Sequence, residues 1–286
     1  MPELRCEISQ SLMNALLTRE QTTGEPLAHI VMRALADQLE VPHATLFQMS
    51  TSGALIEGIS QGIVTVGELK RHGDLGLGTF ADLDGEMVAV DGRFWRVPGS
   101  GSVQEAADSD LAPFAVVTNF RPERRVDLAS VVSIDDLLEQ LDRLRTSNNL
   151  FFAVRIDGRF THAHTRAVCK TERGVRLVDA AASQAEFDFL AVAGTMVGFW
   201  TPEYAKSVNV AGWHLHFLTE DRTGGGHLLD VAGSALKAQV QHLDDFRMAI
   251  PESPEFLKAD LTRDPSKDLN KVERGHRSGS STKPQN

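Results

Sequence analysis

The chain has 286 residues, 42% of them hydrophobic and 24% charged, which is an ordinary composition for a globular protein with one large or two small domains. Its net charge is −10. Residues 261–286 hold six Lys or Arg and three Asp or Glu, a charge of +3, so the rest of the chain carries −13. This acidic charge argues against a nucleic-acid partner. No apolar run approaches the roughly 20 residues that span a bilayer, so we expect no membrane partner. No secretory signal is evident and only Cys6 and Cys169 are present, so we expect a cytoplasmic location.

Residues 1–45 are predicted to form a helical extension. Pro26 suits the first turn of a helix, and the apolar residues from Leu27 to Leu39 recur at helical spacing. Pro42 would end this helix. We expect the extension to serve packing or dimer contact, because it carries no chemically distinctive side chains.

Residues 46–148 are predicted to form an N-terminal β-rich domain. Within it, Thr65 and Glu68 form a capping box, so a short helix should begin there and end near Gly73. The glycines of residues 72–80 are not spaced as in a dinucleotide-binding fingerprint. They indicate a backbone that closely approaches a site or another strand.

Turn signals divide this domain and the next. Asp84-Gly85, Asp91-Gly92 and Asp157-Gly158 each predict a hairpin, the last one joining strands within residues 151–161. Between them, Ser133 should cap a helix that runs to Leu144 and buries a face of leucine and isoleucine.

Residues 149–260 are predicted to form a C-terminal, zinc-binding, β-rich domain, with strand-like segments at 175–178 and 194–200. The polar and charged composition of residues 261–286 predicts a disordered tail. The predicted fold class is therefore α/β (α+β), with two domains of mixed or antiparallel sheet and few helices, plus the N-terminal extension.

Three histidines form the most distinctive pattern. His214 and His216 stand two apart in an apolar run, so a strand would direct both imidazoles to one face, and His227 returns after a Gly-rich turn. Three imidazoles suit a first-row metal ion and leave one coordination position open for a substrate.

The motifs of residues 46–260 occur in a characteristic order. They are Gly67-Glu68-Leu69, the run from His72 to Phe80, Leu83-Asp84-Gly85-Glu86, Arg155-Ile156-Asp157-Gly158, the run from Gly194 to Phe199, the run from Asn209 to Phe217, and the run from Gly225 to Asp230. In these motifs the chain resembles the acetolactate decarboxylases, which convert 2-acetolactate to acetoin and carbon dioxide. Both the order and the spacing of the motifs fit that family.

The resemblance implies a two-domain α/β protein, usually a homodimer, in which His214, His216 and His227 bind Zn²⁺. It also implies that Glu86, in the Leu-Asp-Gly-Glu motif, and Arg166 belong to the active site. The substrate implied is acetolactate, a 2-hydroxy-3-oxo acid, and the process is acetoin biosynthesis.

Two further site residues are implied less directly. Thr79 would lie beside the site, and Glu273 stands at about the position from which the family's C-terminal tail brings a glutamate towards the metal. The sequence around Glu273 matches the family's tail motif poorly. Ala211 and Cys169 stand where the family often has proline, and both changes affect the backbone rather than the site groups.

Decarboxylation of acetolactate requires an electrophile for the developing charge, a cation for the carboxylate and an acid for the final protonation. Loss of carbon dioxide leaves an electron pair on carbon as an enediolate, whose charge a Lewis-acidic zinc ion can stabilise. A guanidinium, Arg166, can hold the leaving carboxylate, a role that the acidic body of the protein makes necessary. A carboxylic acid, Glu86 or Glu273, must then protonate the enediolate on one face and so set the product's chirality.

A second function class fits the same strand. His214, His216 and Glu220 match the first metal motif of cupins, a family of β-barrel metalloenzymes that includes dioxygenases and isomerases, and in that interpretation His227 has no role. The second cupin motif, with its Pro-x-Gly, is missing. A metal-stabilised binding module without catalysis is the non-enzymatic alternative.

Other polar residues are interpreted as structural. His162 and His164 repeat the His-x-His spacing, and we interpret them as the polar face of a strand. Arg155 lies within an apolar run and competes with Arg166 as the site cation, but we interpret it as structural. His72 lies within the Gly-rich segment and has no partner at ligand spacing.

Overall fold

A computed structural model describes residues 5–39 and 44–273, except for the side chains of Asn270 and Glu273. The α-helices of this described part are α1 (Gln10–Thr23), α2 (Leu27–Gln38), α3 (Ser52–Ile56), α4 (Val66–His72), α5 (Ile134–Asp142), α6 (Leu177–Ala181), α7 (Pro254–Lys258) and α8 (Ser266–Glu273). The strands are β1 (Thr45–Met49), β2 (Val64–Thr65), β3 (Leu75–Thr79), β4 (Glu86–Val90), β5 (Arg93–Val97), β6 (Gln104–Glu105), β7 (Leu111–Ala112), β8 (Phe114–Thr118), β9 (Arg124–Asp127), β10 (Phe151–Ala167), β11 (Ala185–Thr201), β12 (Gly212–Thr219), β13 (Gly225–Leu243) and β14 (Asp245–Ala249).

The chain divides into two compact units, residues 1–43 and residues 44–286. The first unit holds α1 and α2. The Ser9 side chain caps α1 by accepting a hydrogen bond from the backbone N–H of Leu12, and Gly24 ends the helix at a φ of 70°. The predicted helical character is thus observed in this unit. None of the described helices is long and apolar enough to cross a membrane.

A seven-stranded mixed sheet forms one half of the second unit. Its strand order is β14-β1-β8-β3-β4-β5-β6, and only the β1–β14 pair is parallel. The β4–β5 hairpin turns at Asp91-Gly92, as predicted. Asp84-Gly85 lies in the longer connection between β3 and β4, which also pair as antiparallel neighbours.

A five-stranded antiparallel sheet, in the order β10-β11-β12-β13-β9, forms the other half. Because β10 pairs with both β11 and β13, while β12 also pairs with both, the four strands β10 to β13 form a closed cycle of pairings. The mixed and antiparallel sheets with few helices confirm the predicted fold class.

Buried side chains fill the space on both faces of these sheets. Leu77 and Val88 of the first sheet share one apolar cluster with Val197 and Leu218 of the second, so the two sheets pack face to face. The helix α4 covers the outer face of the first sheet through Leu69, and α5 packs against the second.

Both predicted helix caps are confirmed. The Thr65 side chain accepts a hydrogen bond from the backbone N–H of Glu68 at the start of α4, and Ser133 accepts one from Asp136 at the start of α5. The helix α5 ends at Asp142, slightly before the predicted Leu144, and it buries Leu137 and Leu141.

The hairpin predicted at Asp157-Gly158 is wrong, because these residues lie in the middle of the continuous strand β10. Asp157 accepts a hydrogen bond from the Thr195 hydroxyl of β11 at 2.7 Å. A register shift against β13 occurs between Asp157 and Arg159, so the glycine marks a bulge rather than a turn. Pairing on both sides of the strand overrides the local turn preference.

Two other predictions are corrected. Residues 175–178 are not a strand: the helix α6 begins at Leu177 and buries it together with Ala180. The tail is not wholly disordered either, because α8 runs from residue 266 to 273 and buries Leu269 and Val272. Residues 274–286 lie outside the described part of the chain.

The domain boundaries at residues 45, 148 and 260 stay predictions. Two strands are exchanged across residue 148: β9 pairs with β13 of the second sheet, and β14 pairs with β1 of the first. Cutting the chain near residue 148 would therefore remove one strand from each sheet.

The packing of α5 offers a test of this architecture. We expect Leu141→Ala to lower the free energy of unfolding by about 2–5 kcal/mol, because Leu141 is fully buried against the second sheet. The matched control is Leu190→Ala, since Leu190 is 74% exposed and its loss should change stability by no more than about 0.5 kcal/mol. Urea denaturation measures both, and equal effects would contradict the assigned core.

Candidate metal centre

Strand register places three site residues side by side. Arg166 of β10 is paired with His227 of β13, and His227 is in turn paired with His216 of β12. His214 lies two residues before His216 and therefore on the same face of β12. The consecutive strands β12 and β13, together with the distant strand β10, thus bring the predicted histidines and arginine together.

The imidazole nitrogens of this group converge. Nε2 of His214 lies 3.1 Å from Nδ1 of His227 and 3.2 Å from Nε2 of His216. A tetrahedral ion with bonds of roughly 2.0–2.1 Å has ligands about 3.3–3.4 Å apart. The three nitrogens are therefore spaced to bind one ion, and they form one of two potential metal-binding groups among the described residues.

The protonation of these histidines also suits a metal. Burial lowers the pKa of His214 to about 3, with a smaller contribution from the charge of Arg166. Burial likewise holds the pKa of His216 well below its ordinary value, although its hydrogen bond to a backbone carbonyl opposes the shift. Both rings are accordingly neutral at physiological pH, as metal ligands must be.

A backbone contact selects the tautomer of His216. Its Nδ1 lies 2.8 Å from the carbonyl oxygen of Met87 in β4, so this nitrogen carries the proton and donates it. Nε2 is then left with its lone pair facing the other two histidines. Such a second partner is the usual device that orients a metal-ligating histidine.

Glu86 enters the site from the first sheet. It is the first residue of β4 and pairs with Thr79 of β3, whose hydroxyl donates a 2.8 Å hydrogen bond to the Gly85 carbonyl. Both residues are buried. The adjoining ends of β3 and β4 therefore place a hydroxyl and a carboxylate on the same wall of the site.

A buried ion pair links the two sheets at this point. Nη1 of Arg166 donates to Oε1 of Glu86 at 3.0 Å, and the two side chains are 3% and 8% exposed. The other carboxylate oxygen of Glu86 lies 3.7 Å from Nε2 of His216. Glu86 thus stands between the cationic group and the histidine cluster.

A pocket contains all of these groups. Glu86, Arg166 and the three histidines line it together with Thr79. The rest of its wall is mainly apolar and comes from several elements, including α3, α6 and α8. These apolar residues are Leu55, Leu83, Phe114, Val168, Leu177, Val210, Leu269 and Val272.

Sequence reasoning missed two parts of this pocket. One is the wall formed by Leu269 and Val272 of α8, whose spacing of three was the available signal in an otherwise polar tail. The other is Ser52 at the start of α3. Its hydroxyl oxygen is buried and has no hydrogen-bond partner among the described residues, which makes it a further polar group for a ligand.

The remaining predicted residues fall outside the cluster or the described part of the chain. Glu220 follows the end of β12, is exposed, and does not belong to the converging group, so the geometry favours His227 as the third ligand. Glu273 is the last residue of α8, but its side chain lies outside the described residues. Arg155 is paired with Asp157 and Asp91, in agreement with a structural role.

Known proteins are similar to this chain over most of its length. The alpha-acetolactate decarboxylase family model matches residues 46–263. The alpha-acetolactate decarboxylase of Methanosarcina mazei is 41% identical to this chain over 230 residues, which cover 80% of both proteins. The alpha-acetolactate decarboxylase of Bacillus subtilis strain 168 is 34% identical, and the match covers 82% of this chain and 93% of the Bacillus protein. A crystal structure of the Bacillus subtilis strain 168 alpha-acetolactate decarboxylase superposes with a TM-score of 0.78 and 33% identity, covering 81% of this chain and 100% of that one.

The buried ion pair provides a prediction about stability. We expect Glu86→Leu to lower the free energy of unfolding of the chelator-treated protein by about 3–5 kcal/mol, because the Arg166 charge then stays buried without this carboxylate. The double variant Glu86→Leu/Arg166→Met should recover much of that loss.

The matched control is Glu139→Ala, which breaks the exposed pair between Glu139 and Arg143 and should cost at most about 0.5 kcal/mol. Urea denaturation of the four proteins measures the difference. If Glu86→Leu were as mild as the control, the pair would not be buried as described.

Proposed function

Because the chain belongs to the alpha-acetolactate decarboxylase family and is therefore a carboxy-lyase, we propose that it converts 2-acetolactate to acetoin and carbon dioxide with a zinc ion bound by His214, His216 and His227. The observation that carries this proposal is the convergence of three imidazoles and the buried Glu86–Arg166 pair in one pocket.

The donor set fits the proposed metal. Three imidazole nitrogens without a thiolate or carboxylate keep the full positive charge of a bound zinc ion, and three protein ligands are the usual set of a catalytic zinc site. When bound there, zinc supplies Lewis acidity for the negative charge that develops on the substrate's oxygens. All further steps rest on side chains of this chain.

Arg166 orients the substrate. Acetolactate is an anion, and long-range electrostatics disfavour its approach to a protein with a net charge of −10. A guanidinium that is 3% exposed can bind the substrate carboxylate with little competition from water. This contact holds the bond to the departing carbon dioxide in a fixed direction relative to the histidines.

Glu86 supplies the proton. When the substrate carboxylate binds beside Arg166, two carboxylates share one cation, and this arrangement favours the protonated form of Glu86. Cleavage of the carbon–carboxylate bond releases carbon dioxide and leaves its electron pair on the substrate as an enediolate. Transfer of the Glu86 proton to the carbon that has lost carbon dioxide yields acetoin. Glu273, at the end of α8, remains the alternative proton donor.

The apolar wall completes the pocket. Side chains such as Leu83, Leu177 and Val272 can pack against the two methyl groups of the substrate and exclude water from the enediolate. Thr79, held by its hydrogen bond to Gly85, shapes the wall beside Glu86 rather than reacting. The homodimer and the cytoplasmic location stay predictions.

The assignment of the third ligand is tested by two substitutions. We expect His227→Ala to lose bound zinc and to form acetoin from acetolactate more than about 100-fold more slowly, because it removes one of three ligands. Glu220→Ala should keep both properties within about a factor of two. Elemental analysis and acetoin formation, each with and without chelator, provide the measurements. The opposite pattern would favour the cupin-like metalloenzyme and contradict this proposal.

The proton donor is tested separately from the metal. We expect Glu86→Gln to retain one zinc per chain but to lower kcat by about 10²–10⁴, the usual contribution of a general acid. Because water would then protonate the enediolate from either side, the residual acetoin should lose enantiomeric excess, which chiral chromatography measures.

Glu273→Gln is the parallel variant, with Lys271→Gln on the exposed side of α8 as its control. A point substitution is preferable to removal of residues 270–286, because that deletion also removes Val272 from the pocket wall. If Glu86→Gln and Glu273→Gln both kept the wild-type rate and product chirality, neither carboxylate would be the acid.

A further inference from the structure

A second group of histidines lies outside the pocket. His162 and His164 occupy alternate positions of β10, and Asp188 of β11 is paired directly with His164. We call His162, His164 and Asp188, together with the neighbouring Glu186, the outer cluster. Period-two alternation directs both imidazoles to one face of the sheet, where the carboxylate of Asp188 also lies.

The contacts of the outer cluster are short. Nε2 of His162 lies 2.8 Å from Oδ1 of Asp188, and Nδ1 of His164 lies 2.9 Å from the same oxygen. The ligand atoms of these three residues all lie within 4.8 Å of one another. Hydrogen bonds from His162 and then His164 lower the pKa of Asp188, which keeps this carboxylate ionised.

His164 has carboxylate oxygens at both ring nitrogens. Besides Asp188 on Nδ1, Oε2 of Glu186 lies 3.2 Å from Nε2. A neutral imidazole has a single N–H and can donate to only one of them. A metal ion bound at Nδ1 would leave that N–H on Nε2, where Glu186 can accept it, and such a second partner is usual for a metal-ligating histidine.

We propose that the outer cluster is a second, solvent-exposed site for a divalent first-row transition metal, bound by His162, His164 and Asp188. Two imidazoles and one carboxylate are typical ligands of zinc, cobalt and related ions, and three protein ligands leave positions for water. Tetrahedral coordination needs ligand atoms about 3.3–3.4 Å apart, so the present contacts must open by roughly half an ångström. Asp188, whose side chain is 62% exposed, has the freedom to move.

The position of the outer cluster gives the ion a structural effect. His164 precedes Arg166 by two residues, and Glu186 is the direct strand partner of Arg166. An ion bound across β10 and β11 would tie these strands together next to the arginine of the pocket. Because such an ion binds the folded chain, it would also raise the melting temperature in proportion to the logarithm of its concentration.

Zinc titration of the full chain tests this proposal. Chelator-treated wild-type protein should bind two equivalents of Zn²⁺ by calorimetry and elemental analysis, whereas His162→Ala/His164→Ala should bind one and keep acetolactate turnover. His214→Ala should retain the outer equivalent. The matched control is His242→Ala, which removes a surface histidine paired with Glu123 alone and should still bind two equivalents.

Asp188→Asn tests the same site in a variant whose folding does not depend on that of the double variant. It nearly preserves the shape of the side chain but removes the charge, and it should weaken the second equivalent at least about tenfold while circular dichroism stays unchanged. A single equivalent in the wild type that His162→Ala/His164→Ala also retains would overturn the proposal. A second equivalent that persists with unchanged affinity in both variants would place that ion elsewhere. Neither result bears on the decarboxylase activity, which is assayed separately.

Discussion

The pairing of β13 with β10 on one side and with β12 on the other is the constraint on which the site depends. It sets Arg166, His227 and His216 in one row, and a slip of one residue would turn His227 away from its neighbours. Gly226 makes this pairing possible. Its φ is 134°, and a Cβ atom at this position would lie 2.4 Å from the carbonyl oxygen of Arg166. The Gly-rich turn before His227 thus serves close strand packing as well as chain reversal.

Polar contacts between the two sheets complete the site. The face-to-face packing of the sheets is mainly apolar, yet Glu86 and the Met87 carbonyl of the first sheet contact Arg166 and His216 of the second. Because these groups are removed from water, each contact is directional and each unmatched charge would be costly. The same desolvation that keeps His214 and His216 neutral also holds Glu86 and Arg166 as a pair. The acidic protein thereby carries a buried guanidinium in the wall of this pocket.

The closing wall of the pocket comes from the end of the described chain. In α8, Leu269 and Val272 face the apolar cluster that also contains Leu177 and Val210. Asp268 on the same helix is bound by Arg176, which also contacts Glu57 near α3. The helix is thus attached to the pocket by one apolar and one ionic contact. It brings position 273 to the end of an element that already lines the site.

The sequence alone determined the local features whose causes are local. Alternation in a strand put His214 and His216 on one face, and the Thr65 and Ser133 side chains capped their helices as predicted. Motif order then identified the family and with it His227, Glu86 and Arg166. The predictions of a turn at Asp157-Gly158, of a strand at 175–178 and of disorder at 266–273 were wrong, because neighbouring strands and a buried apolar face outweigh the propensities of a few residues. Only the tertiary structure decided that Glu86 is paired with Arg166 and that His162 and His164 share one carboxylate. The first contact depends on the packing of one sheet against the other, and the second depends on the register of β10 against β11.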